Sequence, residues 1–351
     1  MEFLVIGDLH LKLVNLEIVQ IFFDYVNKIL EKKCSIGSNV SLVFLGDIYD
    51  VKSIIRVDVQ NFFFKQLHKL LQKNLKQIYI ILGNHDYTNL NLVTHAFDFV
   101  HLFWDKITIV DEFKLICPAI GAIPYRNTSE EFKKELSKSQ HDLDILFCHQ
   151  SINEFYFNPQ MKVKESNSVS IKDFGKSKVI AGHFHTYQEK DNVLYLGSPL
   201  AHSFAESNEE KKILYISGID NKEFEFFSLK EILPQYYSFE VSLEDLLNGK
   251  VDKYNNRDFV RFVVRDSQEN CQKVSKHFLT SLIEQDILPK CDNIFIQYDF
   301  LDPSIKIQIK ENQSMIEMFE DYINLYLTDC QDKEFILNLG KNKYLKKVLN
   351  Q

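Results

Sequence analysis

Phe3-Leu4-Val5-Ile6 runs without a break into Gly7-Asp8-Leu9-His10, and this join of an apolar run to metal-ligating residues decides how the chain is read. The join recurs four times. Leu42 to Leu45 leads into Gly46-Asp47, and Ile78 to Leu82 into Gly83-Asn84-His85-Asp86. Ile145 to Phe147 leads into Cys148-His149, and Val179 to Ala181 into Gly182-His183-Phe184-His185. Short runs rich in β-branched and aromatic residues read as buried strands. A ligand at the end of such a strand has rigid backbone behind it and a crevice in front, the edge at which open α/β sheets bind. Five such ends predict a two-metal centre.

The donors are Asp8, His10, Asp47, Asn84, His149, His183 and His185. Two cations about 3.5–4 Å apart can clamp a phosphoryl group and activate water. Mixed imidazole, carboxylate and amide ligands suit Mn, Fe, Zn or Co better than Mg or Ca, which favour all-oxygen shells. Side chains two apart on an extended strand share a side. Alternation therefore predicts Asp8 and His10 at one ion, and likewise His183 with His185. Glycines before the ligands permit close backbone approach, and neutral Asn84 leaves room for an anionic phosphate. His85 follows Asn84 directly and points elsewhere. It is the candidate catalytic group, stabilising the phosphorus centre or protonating the leaving oxygen, with Asp86 orienting its ring. Of the histidines outside these segments, His101 and His202 are the first to examine.

Length and composition bound the rest. A chain of 351 residues suggests two or three domains. No apolar run reaches the roughly 18 residues of a spanning helix, and the N-terminus lacks the pattern of a signal peptide, so a cytoplasmic protein without membrane contact is expected. The six cysteines form no Cys-x-x-Cys pair, which argues against a zinc ribbon or disulfide framework. Cys148 reads as a small buried thiol before a soft ligand. The net charge of −8 argues against a generally basic nucleic-acid binder. Lys162, Lys164, Lys172, Lys176 and Lys178 form either a local basic rim or a solvated loop surface.

Up to about residue 230, strand-like runs alternate with helical patterns, the signature of an α/β layered fold. Leu16 to Leu30 has helical spacing. Ser53 to Leu71 and Asn89 to Phe103 also read as helical but are apolar nearly all round, which calls for burial on more than one side, by core packing or by a partner chain. Pro234 marks a boundary. Beyond it Tyr236 to Val241, Phe259 to Val264, a helix from Glu269 to Glu284 and Ile294 to Tyr298 give a small β-β-α-β unit. Residues 314–327 and 333–348 read as two amphipathic helices, too small a piece to bury much core alone.

With these motifs the chain resembles the calcineurin-like metallophosphoesterases over residues 1 to 230, and within them the SbcD-type nucleases and their tailed-phage recombination endonuclease branch. Gly46-Asp47-Ile48-Tyr49-Asp50, Phe155-Tyr156-Phe157 and Tyr195-Leu196-Gly197-Ser198-Pro199 extend the likeness. The resemblance implies a two-sheet β-sandwich flanked by helices over residues 1–232, a capping domain at 235–303 and a helical tail at 311–351. It implies Asp8, His10 and His185 at one ion, Asn84, His149 and His183 at the other, Asp47 bridging, and manganese as the metal. It also implies a 3′–5′ exonuclease and endonuclease in DNA recombination or repair. The cap would contact DNA, and the tail would dock on an SbcC-type coiled-coil ATPase. A homodimer would form through Ile54 to Phe64 and Leu90 to Val100, where a charge at Phe63 or Phe97 should give monomers. Relatives often carry a second histidine three residues after the bridging aspartate; here that residue is Asp50. A phosphatase or small-molecule phosphodiesterase would use the same site, and a non-catalytic scaffold would need missing ligands, of which there are none.

Overall fold

The computed structural model describes residues 1–35, 39–89, 91–100, 104–139, 143–158, 161–162, 168–217 and 223–300. Two six-stranded sheets face each other. The first runs Glu223–Ser228, Lys212–Ser217, Glu2–Ile6, Val40–Phe44, Ile78–Ile81, Ile107–Val110. The second runs Gln188–Lys190, Val193–Tyr195, Lys178–Gly182, Ile145–His149, Ile120–Ile123, Lys114–Cys117. Alternation along Glu2–Ile6 shows why the runs are apolar on both sides. Phe3 and Val5 pack between the sheets with Ile145, Phe147 and Ile180, and the Phe3 and Phe147 rings meet edge-on at 5.5 Å. Leu4 and Ile6 face outward into a second core with Phe22, Phe23 and Phe63, supplied by the helices Leu16–Lys33 and Val57–Leu71. A strand covered on both faces reads as a nearly continuous apolar run.

The sandwich implied by the resemblance is therefore present. Within each sheet the ligand-bearing strands are parallel to one another: Glu2–Ile6, Val40–Phe44 and Ile78–Ile81 in one, Ile145–His149 and Lys178–Gly182 in the other. Parallel strands deliver their C-terminal ends, and so their ligands, to one edge. The strands Ile107–Val110, Ile120–Ile123 and Lys114–Cys117 complete one edge of the two sheets, and Ile120–Ile123 pairs directly with Ile145–His149.

Two helical readings change. The helix expected from Ser53 begins at Val57, and Ile54 is left exposed. Residues 91–100 form turns, not the helix expected over Asn89 to Phe103. Local bonds compete with the helix there: Asn89 Oδ1 accepts from Asn91 N, Asp98 Oδ2 accepts from His95 N, and Leu92 adopts φ of 50°. Leu90 and residues 101–103, His101 among them, lie outside the described residues.

The surplus of apolar side chains is largely internal. Phe97 stacks on Tyr49 at 5.5 Å and meets Phe63 at 6.0 Å, and both phenylalanines are fully buried. The expectation that a charge at either would merely separate protomers does not survive this packing. Phe63→Asp or Phe97→Asp buries an unpaired carboxylate at a cost on the order of the whole 5–15 kcal/mol stability of a domain. The expected outcome is insoluble or unfolded chain by circular dichroism. A folded monomer would contradict it.

The strands and helices from Tyr236 to Phe300, where the resemblance implies a cap, have their own hydrophobic cluster around Val260, Phe262, Val264, Leu246 and Leu279. The strands Tyr236–Val241, Phe259–Asp266 and Asn293–Phe300 are all parallel. Parallel neighbours need a crossover. A helix absent from the β-β-α-β reading, Leu243–Leu247, provides the first, capped by the reciprocal pair Ser242 and Asp245. The expected helix from Glu269 to Glu284 is two, Gln268–Lys273 and Lys276–Glu284, the second capped by Ser275. The expected tail helices fall at residues 301–351, outside the described residues.

Candidate metal centre

The five segments converge. His149 ends its strand, but turns carry other ligands: strand pairing ends at Ile6, Phe44 and Gly182, and His10, Asp47 and His183 adopt φ of 44°, 49° and 103°. Gly46 and Gly83 have no room for a side chain, since a Cβ would fall 2.5 Å from His149 Nδ1 and 2.2 Å from Asp47 Oδ1 respectively. The positive φ at His183 separates it from His185 and overturns the expectation that the two share an ion by strand alternation. His183 Nδ1 lies 3.0 Å from Asn84 Oδ1 and 3.3 Å from His149 Nε2. His185 Nε2 instead lies 2.9 Å from His10 Nε2.

Asp47 stands between these groups. Its Oδ2 is 3.5 Å from His10 Nε2 and 3.5 Å from His149 Nε2, while Oδ1 accepts the His85 backbone N–H at 2.7 Å. Ligand atoms of His10, Asp47 and His85 lie within 4.8 Å of one another, and so do those of Asp47, His149 and His183. Asp8 Oδ1 accepts the His183 backbone N–H at 2.8 Å, and its buried Oδ2 has no hydrogen-bond partner.

These residues fit a pair of cations. An unpartnered buried carboxylate oxygen is costly. His185 Nδ1–H donates to Glu206 Oε1 at 3.3 Å, and His10 Nδ1 faces Asp50 Oδ1 at 3.6 Å, so both Nε2 lone pairs converge on one point. A cation there resolves the repulsion. His149 Nδ1–H donates to the Leu45 carbonyl at 2.8 Å and leaves Nε2 to ligate, the usual arrangement of a metal-binding histidine.

Burial and neighbouring charge set the protonation of the metal-free site. Burial pushes His183 down to about 3, and lowers His10. His149 goes the other way: burial opposes its charge, but Asp47 overcomes this and raises it to about 9. Burial, reinforced by Asp47, lifts Asp86 to about 7. The protonated His149 stabilises the metal-free fold fully below its ordinary value near 6.5, and that contribution is lost as pH rises through about 9. A cation must displace this proton. Manganese titrations near pH 7.5 are therefore expected to release a proton, with affinity rising toward pH 9. Binding heats identical in buffers of different ionisation enthalpy would count against it.

His85 is half-buried, with its ring 4.9 Å from that of His10. The carbonyl of Asp50, not Asp86, orients it, accepting from Nδ1–H at 2.7 Å. Asp86 is fully buried and accepts from Ile48 N and Gly83 N at 2.9 Å each, clamping two ligand loops together. Cys148 is buried in the core, and burial raises its thiol further from ionisation. His202 lies beside the site, its ring 5.3 Å from His10 and 5.2 Å from His185, with Nε2 2.8 Å from Ser198 Oγ. Glu206 and Lys211 carry no spacing that marks them in the sequence, yet both contact the His185 segment.

A family model described as calcineurin-like phosphoesterase matches residues 1–187. The chain is 26% identical over 270 residues to "Putative phosphoesterase 078R" of Invertebrate iridescent virus 3, covering 74% of each chain. It is 24% identical over 315 residues to "Exonuclease subunit 1" of Enterobacteria phage T4, covering 86% of this chain and 85% of that one. It is 26% identical over 293 residues to "Putative phosphoesterase 244L" of Invertebrate iridescent virus 6, covering 79% of this chain and 98% of the relative.

Proposed function

The chain belongs to the calcineurin-like phosphoesterase family, and we propose that within it the protein is a manganese-dependent DNA nuclease with 3′–5′ exonuclease and endonuclease activity. The observation that carries this reading is the position of Asp47 Oδ2, equidistant at 3.5 Å from a ligand nitrogen of each pocket. A carboxylate so placed would be shared by both cations when they are bound. When bound, such a pair supplies Lewis acidity at the phosphoryl oxygens and activates water. The protein's own part is to hold the seven ligands rigid and to present His85, whose Nδ1 is engaged by Asp50 and whose Nε2 is left for the leaving oxygen.

Similarity to a phage exonuclease subunit over 86% of the chain, well beyond the phosphoesterase region, favours a nuclease over a phosphatase. DNA then meets an acidic chain. Lys178 is not available to it, being paired to Glu189 at 2.7 Å, whereas Lys172 and Lys176 are exposed; Lys164 lies outside the described residues. Bound cations add local positive charge where the phosphate must sit.

The test is digestion of linear, hairpin and circular DNA by the purified chain with manganese. Cleavage of linear and hairpin DNA is the expected result. Turnover of a chromogenic phosphodiester with DNA left intact, whether or not an ATPase partner is added, would instead establish a small-molecule phosphodiesterase.

The assembly we propose is a homodimer joined to an SbcC-type coiled-coil ATPase through residues 311–351, acting in the cytoplasm (that of a host if the gene is a phage's) on recombining or damaged DNA ends. No helix among the described residues is long and apolar enough to cross a membrane. Ile54 at 76% exposure and Val57 at 69% offer the dimer its apolar contact. Ile54→Glu should give monomers by light scattering. Deletion after residue 310 should leave basal cleavage and remove ATPase binding, and co-purification of the truncated chain with the ATPase would contradict the docking role.

A further inference from the structure

Glu206 sits beyond the ligand segments, on a short turn at Phe204–Glu206, and its carboxylate is 8% exposed. Oε1 accepts from His185 Nδ1–H at 3.3 Å, and Oε2 accepts from Lys211 Nζ at 2.7 Å. Lys211 is 3% exposed and donates also to Glu209 Oε2 at 2.8 Å and to the backbone carbonyl of His185 at 2.9 Å. One buried ammonium thus ties the main chain of His185 to the carboxylate that holds its ring. The cap fixes the turn from the other side. Phe204 meets Tyr236 edge-on at 5.1 Å and Phe295 at 5.2 Å, with the Arg261 guanidinium 4.8 Å above its ring.

The two metal pockets are consequently unequal. His149 rests its Nδ1–H on a neutral acceptor, the Leu45 carbonyl. His185 rests its own on an anion. We infer that Glu206 is a positioning residue for one ion of the pair, the ion held by His10 and His185, and not for the ion held by Asn84, His149 and His183. A carboxylate behind an imidazole fixes the tautomer with Nε2 unprotonated and makes that nitrogen a stronger donor. Lys211 keeps the carboxylate charged despite its burial. The inference rests on the two-cation reading of the site and refines it: one pocket is anchored to the cap-facing turn, the other to the sandwich.

The experiment is a manganese titration of the full-length protein, followed by calorimetry and by electron paramagnetic resonance. Wild type should bind two ions and show the spectrum of an exchange-coupled pair. Glu206→Gln should bind one ion with unchanged affinity and the second about 10–100-fold more weakly, showing isolated-ion signal where wild type is coupled. Because this variant leaves the Lys211 charge short of a partner, the double variant Glu206→Gln, Lys211→Met removes both charges, and the same one-site loss is expected in it. Two ions at wild-type affinity with a coupled spectrum, in either variant, would restrict Glu206 to folding and overturn the inference. So would equal weakening of both ions. Failure of wild type to bind two ions is a different result, and it refutes the two-metal reading itself.

Discussion

Asp47→Asn is expected to abolish the binuclear site and to lower hydrolysis on the order of 10³-fold or more, the scale of several kcal/mol of lost Lewis-acid stabilisation. One oxygen, Oδ2, lies 3.5 Å from both His10 and His149. An amide is a poor bridge between two cations because it brings no charge. The substitution is nearly isosteric, and its remaining oxygen can still accept from the His85 backbone N–H, as Oδ1 does now at 2.7 Å. The fold should therefore persist by circular dichroism while metal analysis falls below two ions per chain. A variant that keeps both ions and normal turnover would remove Asp47 from the bridging role.

His85→Ala should lower the rate by about 10²–10⁴-fold, the range for loss of a general acid, while both ions are retained. Nδ1 is committed to the Asp50 carbonyl, so only Nε2 can act, and the backbone contact of residue 85 with Asp47 is untouched by the substitution. The side chain is close enough to His10 and Asp47 to ligate as well, and the same variant decides between these roles. Loss of an ion moves His85 into the ligand shell. Full ion content with wild-type cleavage excludes it from both.

Much of the site was legible because its residues sit next to strands that announce themselves. Asp8, Asp47, Asn84, His149 and His183 each follow a run whose apolar side chains fill both faces of a sheet, and the structure gathers them within a few ångströms of one another. Asp86 shows the limit of adjacency. It stands beside His85 in the chain, yet its carboxylate turns to the amides of Ile48 and Gly83. Asn89 to Phe103 shows another. Its apolar content was real, and Phe97 is buried, but side chains of Asn89 and Asp98 bond the local backbone and hold turns in place of a helix. Glu206 and Lys211 lacked any marker, since a carboxylate and an ammonium in a loop ordinarily face water.

The linear order of residues determined which groups are candidate ligands and that they lie at or just beyond the ends of buried strands, because strand burial and glycine turns are properties of a few neighbouring residues. Only the folded chain decided which ligands meet. His183 and His185 part company at a positive φ, Asp47 reaches both clusters, and a buried ion pair from the connection between Val193–Tyr195 and Lys212–Ser217 holds His185. Those outcomes depend on contacts between segments far apart in sequence, whose geometry is set by how the sheets pack, and no local pattern encodes that packing.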